Sequence, residues 1–170
     1  GVSLVELRDH GDHSARKWVP LWLHLRHAEN LKPGTQGEAV AEAITVARRT
    51  GCAVHVELLN SSGGTGRMRE AVAQIEAART DGLTITACTY PYTYWATYAG
   101  SARFNDFQTK YGITAADLQV AGTNKRLDEA SWPQVREMNL LTAAFAMSDD
   151  DIDAALGASW IMVGSDAILQ

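Results

Sequence analysis

The sequence predicts an α/β fold, a parallel sheet of β/α units. Three observations carry this. Short apolar runs alternate with longer amphipathic segments along the chain. Gly and Pro close the segments at the alternation points. The composition, 46% hydrophobic and 21% charged over 170 residues, is that of one globular domain with a substantial core.

Taken in order, residues 2–17 read as a helix with sparse apolar positions. Residues 19–24, Val-Pro-Leu-Trp-Leu-His, are a short apolar run and a buried strand. Lys32-Pro33-Gly34-Thr35 breaks the chain before a helix over 37–49, where Ala39, Val40, Ala43, Ile44 and Ala47 form one stripe. Gly51 is its stop. The unit then repeats: strand 53–59, turn 60–66, helix 68–79, strand 83–88. An irregular aromatic-rich stretch runs to about residue 113, and 114–139 read as short helices. Strand 140–146 follows, then a helix opened by Ser148-Asp149-Asp150-Asp151, whose hydroxyl and carboxylates suit a helix N-terminus. Strand 160–163 ends the series. About five strands of one parallel sheet are expected.

A net charge of -5 and scattered Lys and Arg argue against nucleic acid or an acidic membrane surface as partner. No apolar run reaches the roughly 18 residues of a membrane span. Cys52 and Cys88 form neither a CxxC pair nor a disulfide framework, so a reducing, cytoplasmic setting is the expectation.

Parallel β/α folds place ligands at the carboxyl ends of the strands. Those ends hold His24 and Arg26, Leu58 with Asn60 and Ser61, Tyr90 and Tyr92, and Ser165 with Asp166. Asp166 suits a general base, or a turn cap. The Arg26 fork suits a substrate carboxylate, or an ion pair with Glu29. His55 and Glu57 share one strand face and offer metal-ligand chemistry if that face is inward. The alternation of Val54, Val56 and Leu58 argues instead that His55 and Glu57 lie under the helices. His10 and His13, with Asp9 and Asp12, read as a solvated helix face. Tyr90, Tyr92, Tyr94, Trp95 and Tyr98 are candidates for an apolar acyl pocket or for loop packing. Gly63-Gly64-Thr65-Gly66 before a helix is a weak phosphate-cradle signal, without the spacing of a dinucleotide or P-loop motif, and reads better as a flexible loop at the carboxyl edge of the sheet.

Four strand-end segments occur in a telling order: His24-Leu25-Arg26, Val54 to Ser61, Tyr90-Pro91-Tyr92-Thr93 and Gly164-Ser165-Asp166. With Ile75 to Arg79 and Phe145 to Ser148, they make the chain resemble the N-acyl-D-amino-acid deacylases, the D-aminoacylase-like branch of the amidohydrolase superfamily, from about residue 19 to 170. The resemblance implies the C-terminal part of a TIM-type (β/α)8 barrel, incomplete on its own, in a single domain over 1–170 belonging to a larger metal-dependent hydrolase. It implies zinc, and hydrolysis of the amide of a small N-acyl amino acid or related compound. Asp166 would be the catalytic acid-base and a metal ligand. His55 and Glu57 are the further metal candidates. His24, Arg26, Asn60, Ser61, Tyr90 and Tyr92 would bind substrate. The sequence departs from the family in lacking a first-strand His-x-His pair and in placing Leu58 where the family has a ligand His. A catalytically inactive part acting by binding is the alternative, and association of copies is one way to supply missing strands.

Overall fold

The computed structural model describes residues 3–26, 33–60 and 65–165. Along the chain run helix α1 (Leu4–Lys17), strand β1 (Leu21–His24), α2 (Gln36–Thr50), β2 (Val54–Glu57), α3 (Met68–Thr80), β3 (Ile85–Thr89), β4 (Trp95–Tyr98), α4 (Phe107–Tyr111), β5 (Leu118–Val120), α5 (Trp132–Glu137), β6 (Leu141–Ala144), α6 (Asp149–Leu156) and β7 (Ile161–Val163). They divide into two compact units: residues 1–91 with 150–170, and residues 92–149.

The first unit is built on a four-stranded sheet in the order β1-β2-β3-β7, all neighbours parallel. Local chemistry sets its helices. Ser3 and Glu6 form a reciprocal capping box at the start of α1, and Thr35 and Glu38 form another at α2, each satisfying backbone N–H groups that the first turn leaves open. Gly51 ends α2 in the left-handed conformation (φ 69°), its N–H donating to the Ala47 carbonyl at 2.9 Å. At α3 the N-cap residue, Arg67, makes no side-chain cap bond. The acceptor comes from α6 instead: the Asp151 carboxylate receives the N–H of Gly66 at 2.7 Å and that of Met68 at 3.1 Å. The anion seat of α3 is therefore filled by the protein's own carboxylate. The weaker, phosphate-cradle reading of this turn thus finds the Gly66 N–H already bonded to Asp151, and Gly63 and Gly64 lie outside the described residues.

Val54, Val56, Ile85 and Ala87 point to one face and bury against Ala39, Val40, Ala43 and Val46 of α2, Ala71 and Ile75 of α3, and Ala155 of α6 in a single core. Because side chains alternate along a strand, Trp22, His24, His55, Glu57, Thr86, Cys88 and Met162 point to the other face. The expectation that His55 and Glu57 lie under the helices is thus reversed. The apolar alternation marks the face that the helices cover.

The second unit holds a three-stranded antiparallel sheet, β4-β6-β5, with Trp95 opposite Ala144 and Leu118 opposite Ala144. Residues 140–146, expected in the parallel sheet, supply its central strand. The parallel sheet consequently has four strands among the described residues rather than about five. β4 and α4 lie in the stretch read as irregular, and β5 in the stretch read as short helices. Trp95, Phe104, Phe107, Tyr111 and Trp132 form its buried aromatic centre, with ring centroids 5.1 to 6.4 Å apart for the pairs that Phe104 makes. The Met147 N–H donates to the Thr93 carbonyl at 3.2 Å, tying the two ends of the unit together.

Candidate active site

Three of the four expected strand-end groups lie at the carboxyl ends of β1, β2 and β3. At β1, the His24 ring is exposed, with Nδ1 3.3 Å from the Leu25 carbonyl oxygen. Arg26 directs its fork at Glu42 of α2: Nε donates to Oε2 at 2.8 Å, and a terminal nitrogen donates to Oε1. The Glu42 hydrogen bond pushes the Arg26 pKa up. Glu29, the partner expected from sequence, lies outside the described residues. A planar bidentate pair of this kind is the arrangement a substrate carboxylate would make, so any substrate reaching Arg26 must displace or share Glu42.

At β2, His55 is 4% exposed. Its Nδ1 lies 2.8 Å from Thr86 Oγ1 on β3, and its ring centroid 4.2 Å from that of Trp22 on β1. Parallel register puts Trp22, His55 and Thr86 in one row across three strands, and His24 opposite Glu57 one step nearer the carboxyl ends. Burial pushes the His55 pKa below its ordinary value of 6.5, against a smaller upward pull from Glu57. The folded protein thus favours the neutral ring, and the unfolded chain binds the extra proton as acid is added. Stability is therefore full above about pH 6.5 and falls as the pH drops through that value toward the lower folded pKa. Thermal melting followed from pH 7.5 to 5.5 should show this slope, and His55→Gln should flatten it.

Beyond β2 the chain turns at Leu58, which adopts a left-handed conformation (φ 46°) and donates its N–H to Cys88 Sγ at 3.2 Å. Asn60 and Tyr90 are both buried and clamp the ends of β2 and β3. Asn60 Nδ2 donates to the Tyr90 carbonyl at 2.7 Å, and the Tyr90 N–H donates to Asn60 Oδ1 at 3.3 Å. Gln36, at the start of α2, donates to the Leu59 carbonyl at 2.7 Å. This end of the sheet is held by buried side-chain hydrogen bonds, as a positioned site requires. At β7, the Gly164 N–H donates to the Thr89 carbonyl at 2.7 Å, and a Cβ there would meet Cys88 and Leu58 at 3.7 to 3.8 Å. Asp166 and Ser61 lie outside the described residues.

Tyr92 belongs to the second unit, where it stacks on Tyr94 at 5.8 Å. Tyr94 contacts Phe145 at 5.1 Å, and the Arg126 guanidinium sits 3.3 Å over the Phe145 ring. Trp95 is buried in that unit's aromatic centre, and Tyr98 is exposed. His10 and His13 are exposed on α1. Glu42, Thr86 and Cys88 were not flagged by sequence. Each touches a flagged residue or strand end from a different element, and one chain segment read alone carries no sign of that.

Among the described residues, no three His, Cys, Asp or Glu side chains are grouped to hold a metal ion. His55 Nδ1 is engaged with Thr86. The described donor set does not fit a metal. No helix among the described residues is long and apolar enough to cross a membrane.

No protein-family model matches the chain, and no curated protein matches it. Solved structures do. The chain superimposes on N-acyl-D-glutamate deacylase from Bordetella bronchiseptica, solved with zinc and a phosphonate mimic of the tetrahedral intermediate, with a TM-score of 0.71 and 22% identity over 97% of this chain and 36% of that one. It superimposes on D-aminoacylase, described as defining a novel subset of amidohydrolases, with a TM-score of 0.68 and 16% identity over 95% of this chain and 35% of that one. A D-aminoacylase structure addressing its binuclear metal centre gives a TM-score of 0.66 at 16% identity. The fold is therefore that of part of these D-aminoacylase and N-acyl-D-glutamate deacylase structures. The chain spans about a third of the length of these proteins.

Proposed function

We propose that this chain forms part of a hydrolase barrel that cleaves linear amides, with the amide of an N-acyl-D-amino acid as substrate and Asp166 as its acid-base group. The observation that carries the reading is the fold: 97% of the chain matches N-acyl-D-glutamate deacylase. The ordered strand ends, with His24 and Arg26, Asn60 and Tyr90, and then Gly164 and Ser165 leading to Asp166, support the reading.

In this reading Asp166 takes the proton of the attacking water and returns it to the nitrogen of the leaving amine, so that each turnover consumes one water and leaves the carboxylate ionised. Arg26 and His24 orient the substrate carboxylate, Arg26 by exchanging its Glu42 partner. Ser61 and Tyr92 are further substrate-contacting candidates. The Asn60–Tyr90 clamp holds two strand ends in register for that contact. Asp166, His55 and Glu57 remain the zinc candidates. The described donor set does not fit the ion, so no step is assigned to it.

Amine release from N-acetyl-D-amino acids, followed with and without added zinc, tests the reading. Asp166→Asn should lower the rate by at least about a hundredfold. Absence of hydrolysis under both conditions would overturn the reading for this chain. Leu58, at the end of β2 where the resemblance expects an imidazole, favours a second reading. An inactive barrel part would bind N-acyl-D-amino acids in a calorimeter without turning them over.

A further inference from the structure

Leu58 stands in the left-handed region at φ 46°, where a residue with a branched side chain is strained and stays only when its surroundings hold it. Cys88 of β3 supplies that hold twice. Its Sγ accepts the Leu58 N–H at 3.2 Å, and its carbonyl accepts the Leu59 N–H at 2.8 Å. The same residue borders the next strand. Cys88 pairs with Met162 of β7, and two residues on, Gly164 donates its N–H to the Thr89 carbonyl at 2.7 Å. A Cβ on Gly164 would meet Cys88 Sγ at 3.7 Å and Leu58 Cδ2 at 3.8 Å. The thiol thus lies between the turn that follows β2 and the chain that leaves β7. In the sequence, Asp166 comes two residues after Gly164.

We propose that Cys88 is a positioning residue, its thiol coupling the Leu58 turn to the Gly164 strand end from which the chain runs on to Asp166. For the part played by Asp166 the inference rests on the hydrolase reading. The coupling of the two strand ends rests on the contacts alone. A buried cysteine also serves as a small apolar filler, and that role makes a different forecast. A filler is replaced better by an apolar side chain than by a hydroxyl, which is costly to bury. An acceptor is replaced better by a hydroxyl, whose oxygen takes the Leu58 N–H as a methyl group cannot. Proton transfer needs an aligned carboxylate, and misplacement by about 1 Å can cost about a hundredfold in rate. A loosened strand end therefore shows in kcat, while KM, set by contacts elsewhere, holds.

Amine release from N-acetyl-D-amino acids, with and without added zinc, and amide hydrogen exchange test it in Cys88→Ala, Cys88→Val and Cys88→Ser. The expected kcat is about tenfold lower for Cys88→Ala and Cys88→Val with KM within about twofold, and Cys88→Ser recovers to within about threefold of the wild type. The Leu58 and Gly164 amides should both exchange about tenfold faster in Cys88→Ala than in Cys88→Ser. If Cys88→Ala fails to fold, Cys88→Val, which fills the space without an acceptor, decides in its place. Cys88→Ser no more active than the two apolar variants, or faster exchange at Leu58 with none at Gly164, would overturn the proposal. If the wild-type chain releases no amine, the hydrolase reading fails, and exchange at Leu58 and Gly164 alone decides whether the coupling holds.

Discussion

Phe104→Ala should destabilise the 92–149 unit by about 3 to 5 kcal/mol, the range for deleting a buried phenylalanine ring. Phe104 has no exposed surface, and its ring lies 5.2 Å from Trp95, 5.1 Å from Trp132 and 6.4 Å from Phe107. Large rigid rings around it cannot collapse into the vacated space, so the cost falls toward the upper part of that range. Urea unfolding followed by tryptophan fluorescence measures it, since two of the neighbouring rings are indoles. Tyr98→Ala is the control. Its side chain is 60% exposed, and a change of under about 0.5 kcal/mol is expected there. Equal effects from the two substitutions would refute the packing argument.

Asp151→Ala should cost about 3 kcal/mol or more. Two backbone donors, the N–H groups of Gly66 and Met68, lose their acceptor, and each charge-assisted bond contributes about 1.5 to 3 kcal/mol. No substitute is at hand, because Arg67 makes no side-chain cap at α3. Met68 and Asp151 are themselves buried, which limits rescue by water. Asp151→Asn keeps an oxygen acceptor but loses the charge, so it should fall between alanine and the wild type. Amide hydrogen exchange would localise the effect. The Gly66 and Met68 protons should exchange faster in Asp151→Ala, and unchanged protection there would rule the strut out.

Much of the first unit was legible in the sequence. The stripe of α2, the helix α3 and the strands β1, β2, β3 and β7 fall within a few residues of their expected places, because apolar patterns bounded by Gly51, Asp81-Gly82 and Pro91 leave few alternatives. Three things were hidden for physical reasons. Alternation along β2 shows that Val54 and Val56 face away from His55 and Glu57. It does not say which face the helices cover, and in a parallel sheet both faces carry apolar groups, here Trp22 and Met162 on the open one. The run Leu141–Ala144 reads alike as a parallel or an antiparallel strand, so its pairing with β4 and β5 depends on partners far along the chain. Asp151 reads locally as an acid favouring its own helix dipole. That it serves α3 follows from packing alone. The strand ends that carry the candidate positions were legible, but the engagement of Arg26 with Glu42 and of Asn60 with Tyr90 was not.

The bond between Thr93 and Met147 has a kinetic meaning. β3 and β7 are neighbours in the sheet, yet the 92–149 unit is threaded between them. An unfolded connection of that length must be closed before β7 can dock, and closure entropy grows with the logarithm of the free chain, about 2 kcal/mol for each tenfold. Once the 92–149 unit folds, its ends sit a hydrogen bond apart, and the free chain between β3 and α6 shrinks to a few residues on either side. The order of events then favours the inserted unit first and the last β/α unit afterwards. Loosening the aromatic centre around Phe104 would lengthen the tether and slow the arrival of β7, though no atom of that strand had been changed.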